Sequence, residues 1–176
     1  MFILKNKKII IVSSVIVIAG IFILFNNMNK SYFTELSNDE KRIVAESAYM
    51  NFAWGFQYSG MAMFNDGTIY KWNFQGSNAD YKVNSTEEHA QWILEHGTCI
   101  SKKVTENDLK VIEQNINNLD GSIDSKNTAY DAGSNYITVW DSNNKQITLK
   151  ESGDYTGENK STISQKLISI IKKYLK

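Results

Sequence analysis

Two runs of alternating aromatic residues, joined by an Asn-Asp-Gly turn, constrain this chain more than any other feature. Residues 54–72 read WGFQYSGMAMFNDGTIYKW. Large and small residues alternate on both sides of the turn, and a period of two is typical of a strand with one buried face. The Asp-Gly pair predicts a tight β-hairpin, because glycine adopts the positive φ that such turns require. The alternation puts Trp54, Tyr70 and Trp72 among the aromatic residues of this hairpin.

A second hairpin is predicted near the carboxyl end. Residues 136–140 (YITVW) and 146–150 (QITLK) alternate in the same way, and the intervening DSNNK is rich in turn-forming residues. Two hairpins of this kind indicate an antiparallel sheet.

Four segments have the apolar spacing of amphipathic helices, each preceded by a capping signal. They are residues 38–50, 86–96, 106–119 and 161–176. Because helices with apolar faces need a surface to bury against, we expect a two-layer α+β fold. In this fold the helices cover one face of the antiparallel sheet formed by the two hairpins.

The amino terminus has the pattern of a transmembrane signal anchor. Residues 9–25 contain no charged residue and are apolar except for Ser13 and Ser14, and Met28 extends this length slightly. At 1.5 Å per residue this is near the short limit for a bilayer core of about 30 Å. The lysines of residues 1–8 precede the apolar run, so the positive-inside rule places the amino terminus in the cytoplasm and the rest of the chain outside.

These boundaries predict a cytoplasmic n-region (1–8), an anchor (9–28) that contacts membrane lipid, a tether (29–36) and an extracytoplasmic α+β domain (37–176). The alternative is a secreted protein whose signal peptide has been cleaved. The small residues around Ala19 offer a cleavage site, although cleavage there would leave an apolar end on the mature protein.

The charge of the domain argues against nucleic acid as a partner. Residues 30–176 contain 16 of the 19 basic residues and all 19 acidic residues, which leaves a net charge of −3. A mildly acidic domain lacks the positive field that attracts a phosphate backbone.

The aromatic hairpin allows two interpretations. Its rings can form one side of the core, against which the helices pack. Alternatively, Trp54, Tyr70 and Trp72 can form an exposed platform that stacks on sugar rings of the cell wall.

Other chemistry-bearing residues predict no catalytic or metal site. His89 and His96 lie about 10 Å apart along one helix, too far to share an ion without other segments, and are expected on a solvated face. Cys99 is the sole cysteine and is expected to be a buried, inert thiol, with an intermolecular disulfide as the alternative. No hydrolase, zinc or nucleotide-binding motif is present, so we expect a non-enzymatic protein without a cofactor.

Three segments carry a family resemblance: DGTIYKW, VTENDLKVIEQNI and the run from ITVWDSNNKQITLK to the closing lysines. They resemble small anchored or lipoprotein-type extracytoplasmic proteins of Gram-positive bacteria. The resemblance covers most of residues 50–176. It implies a place in the cell envelope, no assigned activity and no site residues.

Together these observations predict a single-pass membrane protein whose outer domain binds another envelope protein. A domain that binds cell-wall glycan through the exposed aromatic residues is one alternative. A small hydrolase is another, since paired carboxylates in a cleft would suffice for general acid and base chemistry.

Overall fold

The computed structural model describes residues 37, 40–53, 55–77, 80–121 and 123–176. The predicted n-region, anchor and tether lie outside these residues, as does Trp54. Within the described part of the chain, no helix is long and apolar enough to cross a bilayer.

The described residues form one antiparallel sheet, as the two hairpins predict. Its strand order is β4-β3-β2-β1-β6-β7-β8-β5. The strands are β1 (Ile43–Asn51), β2 (Phe56–Phe64), β3 (Ile69–Gly76), β4 (Thr98–Ile100), β5 (Lys126–Asn127), β6 (Ser134–Trp140), β7 (Gln146–Gly153) and β8 (Tyr155–Glu158).

Both predicted hairpins are confirmed. In the first, β2 pairs with β3 so that Tyr58 lies opposite Phe74 and Ala62 lies opposite Tyr70. Gly67 adopts a φ of 76° in the turn, which is the positive value that the Asp-Gly signal predicts. In the second, β6 pairs with β7.

Three of the four predicted helices form in the described residues. They are α1 (Thr86–His96), α2 (Glu106–Ile116) and α3 (Thr162–Tyr174). The side chains of Ser85 and Thr105 cap α1 and α2 as predicted, since each accepts a hydrogen bond from the amide three residues later. The cap of α3 is Ser161, one residue before the predicted Thr162.

The helix predicted over residues 38–50 is wrong. Glu40 does accept hydrogen bonds from the amide and hydroxyl of Ser37, so the capping interaction exists. However, the chain then continues as β1, which pairs with β2 on one side and β6 on the other. A strand in the middle of a sheet that is covered on both faces buries apolar residues on both sides, so it lacks a clear period of two.

The two-layer arrangement is also incorrect, because helices cover both faces of the sheet. On one face, the Trp92 and Ile93 side chains of α1 belong to a core cluster with Tyr58 and Trp140. On the other face, Leu175 at the end of α3 lies beside residues of β1, β2 and β6. Contacts between α2 and α3 place both helices on that second side.

Candidate functional site

Most of the aromatic hairpin face is buried under α1. Trp72 has only 3% of its surface exposed and belongs to the core cluster. Tyr70 is partly buried, and the ammonium group of Lys41 lies 5.3 Å from its ring centre. Trp72 therefore presents no free face to a sugar ring. Trp54, the third aromatic candidate, lies outside the described residues.

The most unusual residue of this face is Glu46, a carboxylate in the centre of the sheet with no exposed surface. The hydroxyls of Tyr58 and Tyr136 donate to its Oε1 atom over 2.6 and 2.9 Å. The Nε2 atom of His89 lies 3.3 Å from its Oε2 atom. A buried carboxylate is costly unless it is hydrogen-bonded, and the two tyrosine hydroxyls compensate its Oε1 atom, whereas its Oε2 atom makes no hydrogen bond to any described residue.

His89 connects this carboxylate to α1. Its Nε2 atom lies 2.7 Å from the hydroxyl of Tyr58. Because Tyr58 gives its own proton to Glu46, the His89 Nε2–H donates to the Tyr58 oxygen. The side chain of His89 is only 13% exposed, so the predicted solvated position is wrong for this histidine.

The tyrosines around Glu46 are held in their protonated form. Burial raises the pKa of Tyr58 well above its ordinary value, and the charge of Glu46 raises it further. The same two causes, in the same order, raise the pKa of Tyr136 and of Tyr81. These hydroxyls therefore remain hydrogen-bond donors throughout the physiological pH range.

A cleft of about 510 Å³ opens above this network. We call it the acidic cleft, and its lining residues include Tyr81, His89, Tyr136, Thr138, Trp140 and Glu151. Tyr136 and His89 both line the cleft and contact Glu46, so they connect the cleft to the buried charge. No lysine or arginine is among the residues that line it.

One wall of the acidic cleft contains a polar atom without a partner. Thr138 has no exposed surface, and its Oγ1 atom makes no hydrogen bond to any described residue. Glu151, which also lines the cleft, accepts a hydrogen bond of 2.6 Å from the hydroxyl of Ser125. Buried hydroxyls are almost always paired, which makes Thr138 an exception that requires explanation.

A second depression, of about 610 Å³, lies on the opposite face of the sheet. We call it the lysine groove, because its lining includes Lys71, Lys150, Lys172 and Lys176. It extends over β3, β2, β1, β6 and β7, and the end of α3 forms one wall.

The chemistry of the lysine groove is the reverse of that of the cleft. No aspartate or glutamate lines it. Of its lysines, Lys150 forms an ion pair of 3.0 Å with Glu158, which lies outside the lining. Met61, Ile137 and Leu175 provide apolar surface between the lysines. The groove can therefore hold an anionic ligand that also has apolar groups.

Cys99 is exposed on β4, so the prediction of a buried thiol is wrong. The strand lies at one edge of the sheet, and the side chains of Thr98 and Cys99 are exposed. His96 stacks on Trp92 with ring centres 4.4 Å apart. Among the described residues, no three histidine, cysteine or acidic side chains are grouped so as to hold a metal ion.

Two of these residues carried sequence signals that were misinterpreted. Glu46 is an isolated carboxylate within the run IVAESAYM, inside the segment that was predicted as a helix. In a strand covered on both sides, the same residue is a buried charge. His89 shares its helix face with Ile93, which is a signal for burial.

No family model, curated protein or solved structure matches this chain.

Proposed function

We propose that this chain is a membrane-anchored extracytoplasmic binding module, and that the lysine groove holds an acidic segment of another envelope protein. The observation that supports this ligand most directly is the composition of the groove. Four lysines and no acidic residue line it, on a domain that carries a net charge of −3.

Electrostatic complementarity supports an acidic partner. Lysines gathered in one concavity create a local positive potential, even where the whole domain is mildly negative. Such a potential increases the rate of encounter with an acidic segment and rejects a basic one. Lys71 and Lys172 are exposed, so both ammonium groups can reach a ligand.

The lining favours a polypeptide over a polymer of phosphates or sugars. Met61 and Ile137 line the floor of the groove and keep a small exposed apolar area, 8% and 6% of their surfaces. Ser47, Ser59 and Asn135 place hydroxyl and amide groups beside them, which can bond a peptide backbone. A polyphosphate chain would use the lysines but would leave the apolar floor without a partner.

The two alternatives have less support. A glycan platform would depend on Trp54, Tyr70 and Trp72, and Trp72 is buried. A hydrolase of the predicted kind would need two carboxylates in one cleft, whereas Glu151 is the one acidic residue among the described residues that line the acidic cleft, and Glu46 has no exposed surface. Cell-wall glycan nevertheless remains one outcome of the binding test.

The test uses the full chain in nanodiscs and a labelled peptide of alternating glutamate and leucine. Fluorescence anisotropy should detect binding that weakens with added salt, and no binding of a lysine-leucine counterpart. Reversing two charges, with Lys71→Glu and Lys172→Glu together, should weaken binding by about 5- to 30-fold, because each exposed ion pair contributes about 0.5–1 kcal/mol.

The matched control reverses two exposed lysines outside the groove, Lys110→Glu and Lys126→Glu. These changes should alter affinity much less. Equal losses in both variants would mean that overall charge, and not the groove, attracts the peptide. Stronger binding of lipoteichoic acid or muropeptides than of the peptide would replace the protein partner with a wall polymer.

The location has its own test. We expect protease added to intact cells to digest residues 37–176 and to leave the anchor in the membrane. Digestion only after lysis would contradict the extracytoplasmic location without affecting the groove measurement.

A further inference from the structure

We propose that a cavity at one end of the sheet is a second binding site, and that it holds a neutral oligosaccharide. We call it the aromatic cavity; its volume is about 450 Å³, and its lining includes Met50, Phe52, Asp131, Asp154 and Tyr155. None of these five residues lines the lysine groove, so the site goes beyond the proposed function. A cavity of this volume lies in the range of sites for small molecules.

The first observation is the position of the exposed aromatic side chains. Among the described residues, the exposed large hydrophobic side chains are those of Phe52, Tyr130 and Tyr155, with 54%, 85% and 47% of their surfaces accessible. All three lie at the end of the sheet where β1 ends and where β6 and β8 begin. A single exposed ring is ordinary, but several at one end of a domain indicate a contact surface.

Two of these rings flank the aromatic cavity. Phe52 and Tyr155 line it, and each keeps about half of its surface free. Phe52 also packs against the buried ring of Phe56, with ring centres 5.2 Å apart, which supports it from one side. The apolar face of a sugar ring can therefore stack on these side chains, while the sugar hydroxyls remain free to form hydrogen bonds.

The cavity also offers free polar groups to such hydroxyls. Asp131 lines the cavity and is exposed, and its carboxylate makes no hydrogen bond to any described residue. The hydroxyl of Tyr155 is likewise without a partner among the described residues. A carboxylate accepts hydrogen bonds and a phenol both donates and accepts them, so the two groups complement the alternating donors and acceptors of a sugar.

The charge of the lining favours a neutral sugar over an anionic polymer. Asp131, Glu151 and Asp154 line the cavity, and no lysine or arginine is among the described residues that do so. A phosphate or carboxylate group would be repelled. Glu151 already accepts a hydrogen bond from Ser125, and Asp154 accepts two from backbone amides. With one carboxylate free of such bonds, the cavity lacks the acid and base pair of a glycoside hydrolase, and we expect binding without cleavage.

The loop that carries Asp131 is held in one conformation. The amides of Ala132 and Gly133 donate to the two carboxylate oxygens of Asp154, each over 2.9 Å. The amide of Asp154 donates in turn to the carbonyl of Gly133 over 2.8 Å. These bonds join the loop before β6 to the turn before β8, so Asp131 and Tyr155 are positioned before a ligand arrives. Such preorganisation lowers the entropic cost of binding.

Tri-N-acetylchitotriose is a suitable probe, because it is uncharged and combines apolar ring faces with hydroxyl and amide donors. Its counterpart oxidised at C6 has the same rings and linkages but carries a carboxylate on each ring. With the full chain in nanodiscs, isothermal titration calorimetry should show the neutral trimer binding at least tenfold tighter than the oxidised one. Equal affinities, or no heat from the neutral trimer at millimolar concentration, would overturn the proposal.

Substitutions of the exposed rings test the site itself. Phe52→Ala and Tyr155→Ala should each weaken binding of the neutral trimer by about 5- to 10-fold, because each removes a stacking surface. Tyr130→Ala is the matched control, since this tyrosine is exposed at the same end but does not line the cavity. It should leave the affinity unchanged. Equal losses in all three variants would mean that the sugar adheres to any exposed ring, which would overturn the assignment to the cavity.

Asp131→Asn tests the free carboxylate. Asp131 has a φ of 64°, and asparagine tolerates this conformation, so the variant removes the charge and keeps the loop. It should weaken binding of the neutral trimer by about threefold, because a charged acceptor forms the stronger hydrogen bond. Unchanged affinity would contradict the role of the carboxylate as an acceptor for the sugar.

The outcome is separate from that of the proposed function. The double variant with Lys71→Glu and Lys172→Glu should bind the neutral trimer as the unmodified chain does, and the trimer should not displace the labelled acidic peptide. Displacement of the peptide, or loss of sugar binding in the double variant, would place the sugar in the lysine groove and overturn the second site. Failure of the peptide to bind would leave the sugar measurement unaffected.

Discussion

Glu46 and Ser47 are neighbours in β1, yet their side chains lie on opposite faces of the sheet, in opposite chemical surroundings. Glu46 faces α1, where tyrosine hydroxyls and His89 enclose it. Ser47 faces the lysine groove, whose lining contains no acidic residue. The first face is partly covered by α1, and Glu46 lies in a network of hydrogen bonds there. The second is only partly covered by α3 and remains open.

The difference shows how one strand can separate two kinds of site. Side chains of a strand alternate between faces, so adjacent residues experience different environments. Buried polar networks are rigid and sensitive to the loss of one member. Exposed charges are tolerant of change, because water screens them.

The largest expected difference concerns the two neighbours themselves. Glu46→Ala should lower the free energy of unfolding by about 3–5 kcal/mol, because it leaves two tyrosine hydroxyls and a histidine without their common partner. Ser47→Ala should change it by no more than about 0.5 kcal/mol. Urea denaturation of the full chain in detergent micelles, followed by tryptophan fluorescence, measures both. Similar values for the two variants would contradict the contrast between the faces.

The second-largest expected loss of stability occurs at alkaline pH and arises from the Glu46 face. The pKa values of Tyr58 and Tyr136 are raised in the folded state, so their contribution is intact below the ordinary tyrosine pKa of 10.0 and is lost as pH rises above it. At about pH 11 the two residues together should lower stability by roughly 3 kcal/mol, since only the unfolded chain ionises them.

Absorbance at 295 nm tests this expectation, because it reports tyrosine ionisation directly. The absorbance of Tyr58 and Tyr136 should increase only together with unfolding. Tyr58→Phe should remove about a third of the pH-dependent loss, because Tyr81, whose pKa is also raised in the folded state, contributes as well. Ionisation of all tyrosines before unfolding would show that the network is open to solvent.

The smallest effect is expected beside the groove, where Asp108 of α2 accepts hydrogen bonds from Lys173 and Tyr174 of α3. Lys173 and Tyr174 lower the pKa of Asp108. The contribution of Asp108 to stability is therefore fully present above the ordinary aspartate pKa of 3.8. It is lost as the pH falls through the lowered pKa of the folded state. Lys173 is largely exposed, so Asp108→Asn should cost only about 0.5–1 kcal/mol near neutral pH.

Thermal unfolding at neutral and acidic pH would measure this effect, with Glu106→Gln as a control on the same helix. The Asp108→Asn variant should lose less stability on acidification than the unmodified chain does. A loss as large as that of Glu46→Ala would mean that the contact between α2 and α3 is as critical as the buried network.

Local signals in the sequence were sufficient to predict the two hairpins and three of the helices. Asp66-Gly67 specifies its turn within a few residues, and Ser85 and Thr105 specify helix starts in the same way. β1 could not be recognised by such means, because its pairing with β6 joins residues about 90 positions apart, such as Glu46 and Thr138. Long-range pairing overrode a capping signal that does form.

The candidate sites could not be predicted from the sequence for the same reason. The lysines of the groove come from β3, β7 and the end of α3, and only the strand order brings them together. Glu46, Tyr58, His89 and Tyr136 likewise come from four separate elements. In the sequence each is an ordinary residue.

The central place of β1 has a mechanical consequence. It is the first strand after the predicted tether, and it lies between β2 and β6 in the middle of the sheet. If residues 9–28 anchor the chain and a partner occupies the lysine groove, any tension between that partner and the membrane would enter the domain through β1. Hydrogen bonds along both of its edges would share that load, so the strand would resist extraction far better than one at the rim of the sheet.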